Sequence, residues 1–285
     1  MSDRDARLQA LTVELVSSAP LAPPMPDLDA APSTGTWRGP RLALSVAIVA
    51  IVVPLVAAGL WATLTSSDRA SVVTSPAAVF ETTGATPVAL VADDGAVLRG
   101  YLWRGGPRGV ILNQGFGSKS TDIIRLATAA HDEGATVLLL ESRGQGDSEG
   151  TSDPLMLASD LRSAVADLTT RGVTSVTIAA FSHAATAAIT LAVDPTPEIR
   201  DVIAIFPFGQ YQNLNALDAI GDVTIPIELI GVSAPSPSGP SVVALAREAP
   251  ARLTSVEMFT FGGDDISLLD AHMDRLVEII RQRAR

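Results

Sequence analysis

The chain has 285 residues, of which 47% are hydrophobic, 18% charged and 4% aromatic, with a net charge of −11. That balance leaves no basic footprint for nucleic acid, and the absence of cysteine excludes disulfides, thiolate zinc sites, iron–sulfur clusters and a cysteine nucleophile. His131, His183 and His272 are the only histidines, so a multi-histidine metal site is all but excluded, and no cofactor is expected.

Residues 1–41 read as a disordered cytoplasmic tail. A short amphipathic stretch over 6–16 is broken by Pro20, Pro23, Pro24 and Pro26, since proline cannot continue a helix. The run 42–65 then holds no charge. As a helix it is long enough for a bilayer core of ~30 Å. We expect one transmembrane helix there, with Trp61 near an interface. A buried core helix would seldom be so long and apolar, and a signal peptide normally lacks so long a preceding tail. Arg38 and Arg41 abut the first end, while Arg69 lies beside Asp68 at the second. Cytoplasmic flanks carry the excess of basic residues, so the expected location is the cell membrane, single-pass, with the C-terminal part outside.

Residues 66–86 are rich in Ser, Thr, Ala and Pro and read as a linker, leaving one domain over 87–285. Strands are expected at 88–91, 97–103, 109–113, 135–141, 175–180, 201–206, 227–231 and 255–261. Helices are expected at 121–133, 154–171, 183–193, 241–247 and 268–283. Leu157, Leu161, Val165 and Leu168 keep the three-to-four spacing of one apolar helix face. The later strands are Val/Ile/Leu runs without alternation, as when both faces are covered. Strand–helix repeats after two hairpin-like strands predict an α/β fold with a mostly parallel sheet and helices on both faces.

The sharpest local signal is Ala180-Phe181-Ser182-His183-Ala184, between a predicted strand and a predicted helix. That is the context of the G-x-S-x-G nucleophile elbow, with alanine at both glycine positions. A serine that merely caps a helix is the plainer alternative. Two further segments follow central strands: Gln114-Gly115-Phe116-Gly117 and Glu141-Ser142-Arg143-Gly144-Gln145-Gly146-Asp147-Ser148.

With these three motifs in order, the chain resembles the α/β-hydrolase superfamily over about residues 88–283, and small esterases or dienelactone-hydrolase-type members most. The family carries His-Gly-aromatic-Gly where this chain has Gln114 to Gly117. It carries Asp-x-Arg-Gly-His-Gly-x-Ser where this chain has Glu141 to Ser148. The resemblance implies Ser182 as nucleophile and the backbone N–H groups of Phe116 and His183 as oxyanion donors. It also implies two losses. The family's acid, in Gly-x-x-Asp-Pro, falls on Ala234, and its histidine, in Gly-x-Asp-His-Gly, falls on Ile266. Neither side chain accepts a proton, and loss of a triad member leaves only ~10³–10⁴-fold catalysis over water.

The three histidines then compete as substitutes. His183 follows the serine and should point away from its hydroxyl. His131 reads as a solvated residue at a helix terminus. His272 shares a helix face with Leu269, Leu276 and Ile279 or Ile280, so it either hydrogen-bonds under that helix or serves as the base. Asp264 and Asp265 either orient an imidazole or cap the last helix. Gly115 to Ser120 lacks the spacing of a phosphate loop. The aromatic stretch Phe206 to Asn213 lies past a strand's carboxyl end, where ligands bind in open α/β sheets, and either lines a pocket with Phe116 and Phe181 or packs upon itself.

The chain thus reads as a membrane-anchored, serine-hydrolase-like protein that is catalytically degenerate. It would act by binding a small apolar acyl-, ester- or peptide-like ligand, or a partner protein. The alternative is a slow serine esterase using Ser182 with His272 as a non-standard base, and a purely structural role comes third.

Overall fold

A computed structural model of the chain describes residues 76–115, 119–233, 238–260 and 265–285. The tail 1–41 and the apolar run 42–65 lie outside the described residues. Among the described residues no helix is long and apolar enough to cross a membrane.

One eight-stranded sheet organises the domain. Its strands are β1 (Thr86–Val91), β2 (Val97–Trp103), β3 (Arg108–Asn113), β4 (Thr136–Leu140), β5 (Ser175–Phe181), β6 (Ile199–Ile205), β9 (Ile227–Val232) and β10 (Thr254–Phe259). The order across the sheet is β1-β2-β4-β3-β5-β6-β9-β10. β1 and β2 form a hairpin and β2 runs antiparallel to β4, while every later pair is parallel. The eight expected strands are these eight. Thr136 to Leu140 is buried at every position, which is why that strand shows an unbroken apolar run instead of alternation.

Helices cover both faces. On one lie α3 (Leu157–Thr170), α4 (His183–Leu191) and α6 (Ser238–Glu248), whose Leu161, Leu168, Ala188 and Leu245 share one core cluster. On the other lie α1 (Pro76–Glu81), α2 (Ile124–Asp132) and α7 (Asp265–Ala284), which contribute Phe80, Leu126, Met273 and Leu276 to the second cluster. Each of these side chains larger than Ala188 contributes about 1.5–3 kcal/mol by leaving water.

Part of the stretch read as a linker is therefore structured. α1 occupies its second half because Phe80 is fully buried, stacked on Tyr101 at 3.7 Å and edge-on to Trp103. One aromatic anchor outweighs a linker-like composition. A second unexpected piece follows β6: a two-residue hairpin of β7 (Gln210–Tyr211) and β8 (Leu214–Asn215), then the short α5 (Ala216–Ala219).

A buried ion network fixes the loop after β4. The Arg143 guanidinium is 5% exposed and Asp160 of α3 is 2% exposed. Arg143 Nε donates to Asp160 at 2.8 Å, and Nη1 donates to Asp94 of the β1–β2 turn at 2.9 Å. A buried cation of this kind needs both partners to offset its lost hydration.

Candidate active site

β5 ends at Phe181 and α4 begins at His183, so Ser182 alone makes the turn. Its backbone sits at φ 57°, ψ −127°, a region that costs a residue with a Cβ about 1–3 kcal/mol. The surroundings hold it there. Ser182 N–H donates to the Ile205 carbonyl at 2.9 Å, and Ala180 and Ala184 on either side are fully buried. The side chain is half-buried, at the carboxyl edge of the parallel strands.

β3 lies beside β5 in parallel register, with Asn113 opposite Ala180. Two residues further along, Gly115 therefore meets Ser182. A Cβ built on Gly115 would stand 2.8 Å from Ser182 Cβ and 3.5 Å from its hydroxyl oxygen. Glycine there lets the two chains close up beside the nucleophile position. Phe116, expected to supply one oxyanion donor, lies outside the described residues.

His183 opens α4 at the positive end of its dipole. Its side chain is 1% exposed, and its ring centroid lies 5.4 Å from that of Tyr211. Burial holds the imidazole down to about 4, so it is neutral at pH 7. Tyr211 stacks on Phe208, and Thr186 of α4 shares hydrogen bonds of 3.1 Å with the Phe208 N–H and carbonyl. The loop after β6 is thus pinned to the first turns of α4, with Phe206, Phe208 and Tyr211 half-exposed.

His272 sits elsewhere. Its Nε2–H donates to the Thr260 carbonyl at 2.9 Å, and its ring stacks on Phe259 at 4.3 Å. Phe259 ends β10, three strands from β5, or roughly 14 Å at ~4.8 Å per strand. Among the described residues no hydrogen bond joins Ser182 to His272. His131 lies in the last turn of α2 and donates from Nδ1 to the Ala135 carbonyl at 3.4 Å. Ala234 lies outside the described residues, and Ile266 falls in the first turn of α7.

One contact at the site escaped sequence reasoning. Gln114 Nε2 donates to Gln145 Oε1 at 3.4 Å, joining the residue before Gly115 to the Arg143 loop. Both glutamines stand where the family patterns carry histidine, and that paired replacement is the signal that marks them. Among the described residues no group of three or more His, Asp or Glu could hold a metal.

No family model matches the sequence, and no curated protein matches it. Solved structures do resemble the fold. The esterase Pf2001 of Pyrococcus furiosus is 17% identical, covers 71% of this chain and 93% of its own, and superposes with a TM-score of 0.60. The esterase domain of a Rhodothermus marinus protein is 14% identical, covers 70% of this chain and 100% of its own, and has a TM-score of 0.56. Est1E from Butyrivibrio proteoclasticus, with ferulic acid bound, is 16% identical, covers 68% of this chain and 96% of its own, and also has a TM-score of 0.56. By its strand order, its serine elbow and these neighbours, the chain has the α/β-hydrolase fold.

Proposed function

We propose that this protein is a membrane-anchored, serine-hydrolase-like protein that binds a small acyl- or ester-like ligand at Ser182 without turning it over efficiently. The observation that carries this reading is the position of His272. Its Nε2–H is committed to the Thr260 carbonyl, and among the described residues no hydrogen bond joins it to Ser182. A general base must come within hydrogen-bond reach of the proton that it takes. Without one, the Ser182 hydroxyl stays protonated and weakly nucleophilic.

The rings of Phe206, Phe208 and Tyr211 suit a flat apolar group beside Ser182, and the Est1E structure holds an aromatic acid of that kind. Anchoring rests on the uncharged run 42–65 and on the arginines before it. A C-terminal reporter active only outside the cytoplasm would agree with that topology, and one active only inside would overturn it.

A slow esterase is the second reading. It is favoured by the strained backbone kept at Ser182, which serves a nucleophile and has no value to a helix cap.

A fluorophosphonate separates the two. Reaction forms an oxygen–phosphorus bond at Ser182, expels fluoride and releases the hydroxyl proton. The binding reading expects no labelling on the timescale of a working serine hydrolase, together with saturable binding of an aromatic ester that is not cleaved. Rapid labelling that disappears in Ser182→Ala would establish the esterase.

A further inference from the structure

A concave place lies on the sheet beside the β1–β2 hairpin. Pairing sets Pro87 opposite Tyr101 and Ala89 opposite Arg99. Gly100 lies opposite Leu140, which brings Glu141 beside Arg99, and the Glu141 N–H donates to the Arg99 carbonyl at 3.0 Å. Side chains two apart along a strand share a face, so Pro87, Ala89, Arg99 and Tyr101 all point to one side. Phe80 covers the Tyr101 ring there. Beyond it Pro87 and Ala89 are small, and a cavity of about 680 Å³ remains, lined also by Glu141 and Asp147. Neither Ser182 nor Gly115 lines it.

The charges around this cavity face one another without closing. An arginine beside a cross-strand glutamate would ordinarily pair with it. The Glu141 carboxylate is turned away, because it accepts from Ser120 Oγ at 2.8 Å and from the Asp147 N–H at 3.0 Å. Among the described residues, the Arg99 guanidinium, the Asp147 carboxylate and the Tyr101 hydroxyl have no side-chain partner. Burial, then the Glu141 and Asp147 carboxylates, push the Tyr101 phenol up. It therefore remains a protonated donor near both acids.

This set selects by charge. A lone carboxylate drawn to Arg99 would meet two acids, and a lone ammonium drawn to the acids would meet Arg99. A molecule carrying both ends at a short separation satisfies Arg99, Tyr101 and Asp147 together. We propose that this cavity binds a small zwitterion, with its anionic end on Arg99 and the Tyr101 hydroxyl and its ammonium end on Asp147, the engaged Glu141 carboxylate adding only its charge. Free amino acids, dipeptides and the head of an aminophospholipid share that chemistry. The site is independent of any ligand at Ser182.

Calorimetry on the full-length protein tests this with four probes: glycylglycine, glycerophosphoethanolamine, acetate and ethylammonium. At least one zwitterion should bind saturably at one per chain, and both single ions at least tenfold more weakly. Preference for glycylglycine identifies a peptide-like ligand, and preference for glycerophosphoethanolamine a lipid head. Arg99→Gln and Asp147→Asn change exposed side chains, so both variants should melt as the parent does. Each should weaken zwitterion binding tenfold or more. Arg99→Gln should also strengthen ethylammonium binding, and Asp147→Asn should strengthen acetate binding. Tyr101→Phe, which keeps the stacking on Phe80, should cost severalfold. The proposal fails if neither zwitterion saturates by about 10 mM, beyond the affinity range of a useful small-ligand site. It also fails if acetate binds as well as glycylglycine, or if both charge variants leave affinity unchanged.

Discussion

Gly115 and Ser182 touch across adjacent parallel strands so closely that a Cβ on the glycine would stand 2.8 Å from the serine Cβ. The obstacle is backbone-borne on both sides, so no side-chain rotation relieves it. Gly115→Ala should destabilise the domain by about 1–3 kcal/mol, the usual cost of overpacking. The midpoint of urea unfolding reads this directly. Ser182→Gly removes the opposing Cβ and a strained backbone together. In the Ser182→Gly background the same alanine should cost distinctly less, and equal costs in both backgrounds would deny the contact.

Acid should weaken the fold through His183. Its imidazole ordinarily titrates near 6.5 but is held at about 4 in the folded chain. Between those values the unfolded chain binds a proton that the folded chain refuses, so stability is complete above about 6.5 and falls as the pH drops toward 4. At ~1.36 kcal/mol per pH unit the loss approaches about 3 kcal/mol. Chemical unfolding at pH 7 and pH 4 should show a difference smaller by about that amount in His183→Gln than in the parent. An unchanged difference would mean that His183 is not the group responsible.

Replacing His272 should act on stability alone. The ring bridges Phe259 and the Thr260 carbonyl, so His272→Ala should cost about 1–3 kcal/mol through a lost contact and an acceptor left without its donor. Any ester turnover should then fall only with the folded fraction. A hundredfold loss at an unchanged melting temperature would make His272 the base and the esterase reading correct.

Restoring the missing pair is the converse test. Ile266→His and Ala234→Asp together put an imidazole and its orienting acid at the positions that the family resemblance implies. A positioned general base contributes about 10²–10⁴ in rate. The folded double variant should therefore cleave a p-nitrophenyl ester on the order of a hundredfold faster than the parent. Ala234→Asp alone should gain little, and Ser182→Ala should remove the gain. A folded but inert double variant would show that the site has drifted beyond these two positions.

The elements with strong periodicity or long apolar runs were legible from residues alone. β2 falls on the expected residues 97–103, and the apolar stripe of α3 is buried as its spacing implies, with Leu161, Val165 and Leu168 in the core. The short pieces were not. Two-residue strands such as β7 and β8 carry no period, and α1 is only six residues long in a composition typical of linkers. At the site, the Ser182 elbow was readable because strand, serine and helix adjoin in the chain. The Gln114–Gln145 contact joins residues 31 apart and depends on a loop path that no local pattern encodes. The partners of His272 likewise needed the sheet order, since a helix face shows only which way a ring points and not which strand it meets.

The Arg143 network ties together three segments that are far apart in the chain: the β1–β2 turn through Asp94, the loop after β4, and α3 through Asp160. None can leave its place without stranding a buried guanidinium. Their backbone amides should therefore exchange with deuterium as one cooperative unit, at a single opening free energy, instead of as a fraying turn, a mobile loop and a stable helix. The same unit carries Gln145 and Asp147, one reaching toward Gln114 and the other into the zwitterion cavity. A ligand that slows exchange at Asp147 should then slow it equally at Asp94 and along α3, at a distance from where it binds.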